Sequence, residues 1–238
     1  MGGTAAHDST AANRSIGPAP LFHWRCERPL LVASFERPQA ALSWAMARPG
    51  FQTMSRVAWL EVSRADLTLE VDPYSLLADS IARADLTDAV AMMTSRDVRS
   101  ARSAEARSGA VAAQCLATVG LNNAVRAGGS AATERHGFGT INLLAAVSAP
   151  LAQSALVEAL SIAAEARTAA VMDLNWLVDG AVATGTGTDC IVVAAPDEAG
   201  GAPFAGLHTD VGVAIAASVY AAVAQAGREW IAERGRPA

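Results

Sequence analysis

The stretch 140–196 constrains this chain more than any other. It reads TINLLAAVSAP, then a helical run, then EARTAAVMDL, and last ATGTGTDCIVVAAP. Three apolar, partly β-branched runs keep their polar residues at the ends, as buried strands do when a scaffold presents a site at its rim. Asn142 lies in the first run, Glu165 and Arg167 just before the second, and Thr184, Thr186, Thr188 and Asp189 before the third. A buried strand has no packing need for a TGTGTD lead-in, so the lead-in reads as functional.

Between these runs, Leu156, Ala159, Leu160, Ala163 and Ala166 fall at i, i+3, i+4, i+7 and i+10. That spacing predicts a helix over 151–166, started by Ser148-Ala149-Pro150. A strand over 169–174 would complete a βαβ unit with a right-handed crossover. The last element, 210 to about 233, places Val211, Ile215, Val219, Ala222 and Ala226 on one helical face behind a Thr209 cap. Upstream, 30–35, 57–62, 88–93 and 110–119 read as strands, and Asp72-Pro73 opens a helix over 74–84. The polar stretch 99–107 reads as a surface loop or an exposed turn, and the Gly-rich 128–139 as a mobile loop over a site. Strands in succession, then strand–helix units, give an α+β domain: a mixed sheet packed with helices, a βαβ-type segment and a long C-terminal helix. Residues 1–20 read as a disordered tail without signal-peptide character, and 21–238 as a single domain.

Composition narrows the function. A chain of 238 residues that is 52% hydrophobic and 17% charged has ample material for a core. Its net charge of -5 argues against a nucleic-acid partner, which needs a basic surface. All 18 basic residues are Arg, which excludes a Schiff-base or Walker-type lysine. Three cysteines without CxxC spacing point to a reducing, cytoplasmic compartment. The four histidines are far apart, so no metal site is expected. The uncharged stretch 137–157 is long enough for a membrane span, but Asn142, Pro150 and Gln153 and its two-part pattern argue against one.

Several residues carry chemistry, each with a plain structural alternative. The TGTGTD run precedes a strand, whereas phosphate cradles precede a helix. Asp189 can orient a base, accept from substrate amides, or bond its own turn. His208, at a helix entrance, can serve as general acid or base near neutral pH, or satisfy loop backbone. His136 offers the same choice within the Gly-rich loop. Glu165 and Arg167 suit a site or a solvated helix end, and Asn122 and Asn123 suit amide recognition or a turn. Cys190 reads as inert packing. The chain contains no GxSxG elbow.

Six segments in order, MTSRDV, ATVGLNNAVRAG, GTINLLAAVSAPL, EARTAAVMDL, ATGTGTDCIVVAAP and GLHTDVG, resemble the adenosylcobinamide amidohydrolase family (CbiZ) over roughly 87–220. The resemblance implies hydrolysis of an amide on a corrinoid side chain, in corrinoid salvage and cobalamin biosynthesis. Adenosylcobinamide would yield adenosylcobyric acid and aminopropanol, with adenosylpseudocobalamin as a further substrate. The corrinoid is the substrate, and no separate cofactor is required. Such chemistry needs an activated nucleophile, donors for the oxyanion and an acid for the leaving amine. Asp189, His208 and Glu165 are the catalytic candidates. Asn142, Asn122, Thr94, Arg167, Thr186, Thr188 and His136 are the substrate-binding ones. Asp189, His208, Glu165 and Asn142 are expected to converge on one pocket. The family is associated with a Glu-Ala-Lys-Thr run, where this chain has Glu-Ala-Arg-Thr at 165–168. Arg keeps the charge but does not titrate as Lys does. A corrinoid-binding protein without catalysis, or an amidohydrolase or acyl transferase for another small molecule, are the alternatives.

Overall fold

In the computed structural model, which describes residues 19–129 and 138–235, the chain alternates strands with three helices. The order is β1 (His23–Glu27), β2 (Leu30–Ser43), β3 (Gly50–Glu61), α1 (Pro73–Arg83), β4 (Val90–Thr94), β5 (Arg102–Ser108) and β6 (Val111–Val119). Then come β7 (Ala124–Val125), β8 (Ile141–Val147), α2 (Gln153–Asp173), β9 (Leu177–Val178), β10 (Ala181–Val182), β11 (Gly185–Thr186), β12 (Cys190–Pro196) and α3 (Asp210–Arg234). The main sheet runs β4-β3-β2-β12-β8-β6-β5, with β1 added along β2. The β12–β8 and β3–β4 pairs are parallel and the others antiparallel, so the α+β fold has the expected mixed sheet.

At its centre, β8 and β12 are covered on both faces, which explains their unbroken apolar sequences. Ile141, Leu143, Ala145 and Val147 of β8, with Ile191, Val193 and Ala195 of β12, face a core shared with α2 and α3. The alternate residues Leu144, Ala146, Val192 and Ala194 face a second core with Phe22, Leu31, Trp59 and Met92. A third core, Val32, Ala58 and Leu60 against Leu77 and Ile81, seats α1 on the outer side. The result is four layers: a helix pair, two sheet layers and a single helix.

Strand β2 belongs to both sheet layers. The first half of β2 (30–34) pairs with β1, and its second half (39–43) pairs with β12. Between them the β2–β3 register jumps from Ser34↔Arg56 to Gln39↔Met54. Residues 35–38 therefore oppose Ser55 alone, a bulge that turns the strand from one layer into the other. Pro38, which has no N–H to give, stands in this bulge, where no ladder bond is lost.

The helix caps follow the sequence. Asp72 accepts from Ser75 N at 2.9 Å and Pro73 opens α1. Thr209 accepts from Gly212 N at 3.1 Å at the head of α3. Small residues on α2 (Ala159, Ala163, Ala166, Ala170) and α3 (Ala214, Ala222, Ala226) share the core between these helices and the sheet. By length and composition α3 could cross a membrane, yet most of it lies buried against β5, β6 and α2.

Two expectations require correction. Residues 169–174 form no strand: α2 runs on through Asp173, because Ala170 and Val171 bury against the helix-side core and Ala169 favours helix. The partner of β8 in the parallel unit is β12 instead, with Cys190↔Asn142 through Ala194↔Ala146 in register. Nor is 99–107 a loop, since 102–108 form the edge strand β5 paired along β6. Its charged, small residues are those of an exposed edge, where charge discourages further pairing. Strand β1 was not anticipated, and β2 continues well past residue 35. The expected tail lies almost wholly outside the described residues.

Candidate active site

Parallel pairing of β8 and β12 puts both of their N-terminal ends at one end of the sheet. Antiparallel β6 brings its C-terminal end there too, with Thr118 opposite Asn142 and Val119 opposite Ile141. Met93, near the end of β4, joins them across the two sheet layers: Asn142 Nδ2 donates to Met93 O at 2.6 Å.

On the helix side of this end, Asp189 ties three segments together: the start of β8, α2 and its own lead-in. One carboxylate oxygen accepts from Ile141 N at 2.9 Å and from the Thr186 hydroxyl. The other accepts from Thr186 N at 3.0 Å and from the Arg167 guanidinium of α2. An ionised carboxylate offers about four lone-pair positions, and all are used here. The pair is nearly dry, with the Arg167 and Asp189 side chains 15% and 6% exposed. Arg167 also donates to Thr184 O at 3.2 Å. Gly185 is required beside it: a Cβ there would overlap the guanidinium. The glycine in the lead-in thus makes room for an arginine.

Between the two sheet layers lies a second polar group. The Thr140 hydroxyl has two acceptors in reach, Thr188 O at 2.8 Å and Asn142 Oδ1 at 2.9 Å. Thr118 is fully buried and its hydroxyl has no hydrogen-bond partner among the described residues. Facing Asn142 across the strands, it stands about 5 Å away at Cβ. Thr94 is buried and accepts from Arg96 N at 3.0 Å. Arg96 in turn forms a two-pronged pair with Glu233 at the end of α3, at 2.5 and 2.7 Å. Thr118 and Thr140 went unnoticed as candidates in the sequence. The available signal was a lone hydroxyl inside a buried apolar strand at Thr118.

Around the rim, loops interlock through backbone. Thr188 Oγ1 donates to Gly139 O at 3.1 Å, Asn122 Nδ2 to Phe138 O at 3.1 Å, and Gly187 N to Asn123 O at 3.2 Å. A side chain on Gly139 would press on Gly120 O and on the amides of Asn122 and Asn123, 2.7–2.8 Å away. The Trp44 indole N–H donates to Asp189 O at 2.7 Å.

The structure therefore brings together Asp189, Asn142, Arg167, Thr186, Thr188, Thr94 and Asn122, and separates two others. Glu165 is exposed on α2. Two residues from Arg167, it lies about 200° around a helix and points away from the cluster. His208 sits at the opposite end of the sheet. The next helix begins with Asp210, which accepts from Ser108 at the β5–β6 turn, and that turn adjoins the far end of β8 through Ala113↔Val147. A strand of seven residues separates His208 from Asp189, about 20 Å. The expected convergence of Asp189, His208, Glu165 and Asn142 is thus corrected to Asp189 and Asn142 alone. His136 lies outside the described residues. Cys190 is buried under Asp189; burial first, then that charge, pushes its thiol up to about 12, so it stays protonated.

Three solved structures are similar in outline. The PH0078 protein from Pyrococcus horikoshii OT3 is 10% identical, with 86% of this chain and 77% of that one covered at a TM-score of 0.47. A Burkholderia sp. β-aminopeptidase is 13% identical, with 87% of each chain covered and a TM-score of 0.43. The L-aminopeptidase D-Ala-esterase/amidase from Ochrobactrum anthropi, described as a variant of the Ntn hydrolase fold, is 12% identical over 86% of this chain and 82% of its own, at a TM-score of 0.37. These TM-scores are too low to carry chemistry across. No curated protein matches the sequence. The family model for adenosylcobinamide amidohydrolase (CbiZ) matches residues 17–235.

Proposed function

Since the chain belongs to the adenosylcobinamide amidohydrolase family, and is thus an amidohydrolase, we propose that it hydrolyses the amide joining aminopropanol to the corrin side chain of adenosylcobinamide. Water is consumed, the C–N bond breaks, and adenosylcobyric acid and aminopropanol leave. Adenosylpseudocobalamin is a second substrate of the same chemistry, and the role is corrinoid salvage feeding cobalamin synthesis in the cytoplasm. No separate cofactor takes part.

The observation that carries this reading is the meeting of five separated segments at one end of the sheet: Met93, Asn122, Asn142, Arg167 and the 184–189 lead-in. Apart from the Arg167–Asp189 ion pair, these segments are apolar or neutral around a few hydroxyls and amides, as suits a corrin fringed with amides. In this reading Asn142, Thr118 and Thr140 meet the reacting amide. Amide and hydroxyl groups held in a water-poor site can stabilise the charge that develops on a carbonyl oxygen. Asp189 is a positioning residue: with its lone pairs filled it fixes Ile141, Thr186 and Arg167, and so the ends of β8 and β12. Arg167 performs that task through a single guanidinium nitrogen, Nη1, which donates to both Asp189 and Thr184 O and needs no titration to do so. The Lys-to-Arg departure is then compatible with catalysis.

Purified protein incubated with adenosylcobinamide and resolved by chromatography tests the proposal. Release of adenosylcobyric acid with equimolar aminopropanol is expected. Binding without release would identify a non-catalytic corrinoid-binding protein. Neither binding nor release would redirect the search to other amides.

A further inference from the structure

Two exposed aromatic side chains flank the polar cluster. Trp44 follows the last residue of β2, is 47% exposed, and is fixed by its N–H to Asp189 O at 2.7 Å. Phe138 precedes β8 by three residues and is 45% exposed. Its carbonyl is held by Asn122 Nδ2 at 3.1 Å, and Arg64 lies over its ring at 5.5 Å. In the sheet, β12 runs between β2 and β8. Neighbouring strands stand about 4.8 Å apart, so the two aromatics are about 10 Å apart across the sheet, and the register, which puts Trp44 level with Leu143, sets Phe138 about five residues, roughly 16 Å, farther along it.

Aromatic side chains left in water without need are usually mobile. Here the Trp44 ring is tethered by its own N–H, and Phe138 is held through its backbone carbonyl with the Arg64 guanidinium over its ring, so both are placed beforehand. The span between them matches a broad, flat macrocycle better than a short amide or a peptide side chain. We propose that Trp44 and Phe138 are the walls that grip the corrin ring, and so direct its amide-bearing edge toward Asn142 and Thr118. The assignment rests on the amidohydrolase reading above and adds to it the residues that select a corrinoid.

The test uses Trp44→Ala, Phe138→Leu and Phe138→Tyr in the full-length chain. Hydrolysis of adenosylcobinamide gives kcat and KM. Quenching of tryptophan fluorescence by adenosylcobyric acid gives a dissociation constant without turnover. Trp44→Ala and Phe138→Leu should each raise KM and that constant roughly tenfold, a loss in the range of one aromatic contact, with kcat within about twofold. Phe138→Tyr, which keeps the ring face, should behave as the parent. If the parent hydrolyses normally and the first two variants keep its KM and dissociation constant, the aromatic assignment is overturned alone. A parent that neither binds nor hydrolyses the corrinoid overturns the amidohydrolase reading as well. A parent that binds without hydrolysing, with variants that bind weakly, upholds the aromatic walls and overturns only the catalysis.

Discussion

Asp189 illustrates how a residue chosen for one role can be built for another. Its Gly-Thr lead-in was legible as a place where backbone donors approach a carboxylate, and they do. What the sequence could not show was Arg167 arriving from α2, 22 positions upstream, to complete the set. Breaking a buried pair by removing one partner leaves the other charge uncompensated. Asp189→Asn should therefore lower stability by about 3 kcal/mol in urea unfolding, with turnover falling through displaced strand ends. Gly185→Ala should do the same from the other side, because its Cβ expels the guanidinium. A fully stable Gly185→Ala protein would show that the pair is not what holds the lead-in. At Thr118 the expectation reverses. Replacing an unpartnered buried hydroxyl by the isosteric Val removes a desolvation cost. Thr118→Val should gain about 1 kcal/mol in the same assay while losing turnover, the signature of a group kept for function.

At the scale of the element, periodicity read well where burial was one-sided or complete. The α2 pattern predicted that Leu156 faces the core, and it is 2% exposed, whereas Leu160 is only half-buried at the core's margin. Leu156→Ala should cost about 3 kcal/mol and Leu160→Ala about half as much, measured by chemical denaturation. Periodicity misled where small residues serve either state. AAVMDL suits a strand or a helix, and only the packing of Ala170 and Val171 against the helix-side core decides it. His208 lies apart from the cluster for another reason: it follows the C-terminal end of β12, whereas Asp189 precedes the N-terminal end. The 3₁₀ turn at 98–100 supplies an acid-sensitive element. A side-chain hydrogen bond from Arg99 holds the Asp97 carboxyl down at about 2, against an ordinary 3.8. A depressed pKa contributes stability that is whole above the ordinary value and is lost as pH falls through the folded one. Stability measured against pH should fall between about 4 and 2, and Asp97→Asn should flatten that part of the curve.

Across the whole molecule, the bent strand β2 has consequences for how the chain comes apart. Because its two halves are rungs of different ladders, neither sheet layer can shed it without tearing the other. The layers should therefore open as one cooperative unit, with amide protons of Leu31 and Leu42 exchanging at similar slow rates. The same strand limits rearrangements of the chain. New termini placed at the β5–β6 turn, near residue 109, interrupt only an edge hairpin, whereas termini at 35–38 would cut the bent strand whose halves pair with β1 and with β12, leaving β3 alone to run across both layers. Among circularly permuted forms, the first should remain soluble and the second should not. By the same logic, any lineage recombining this fold would find its seams at the edge hairpin rather than at the corner.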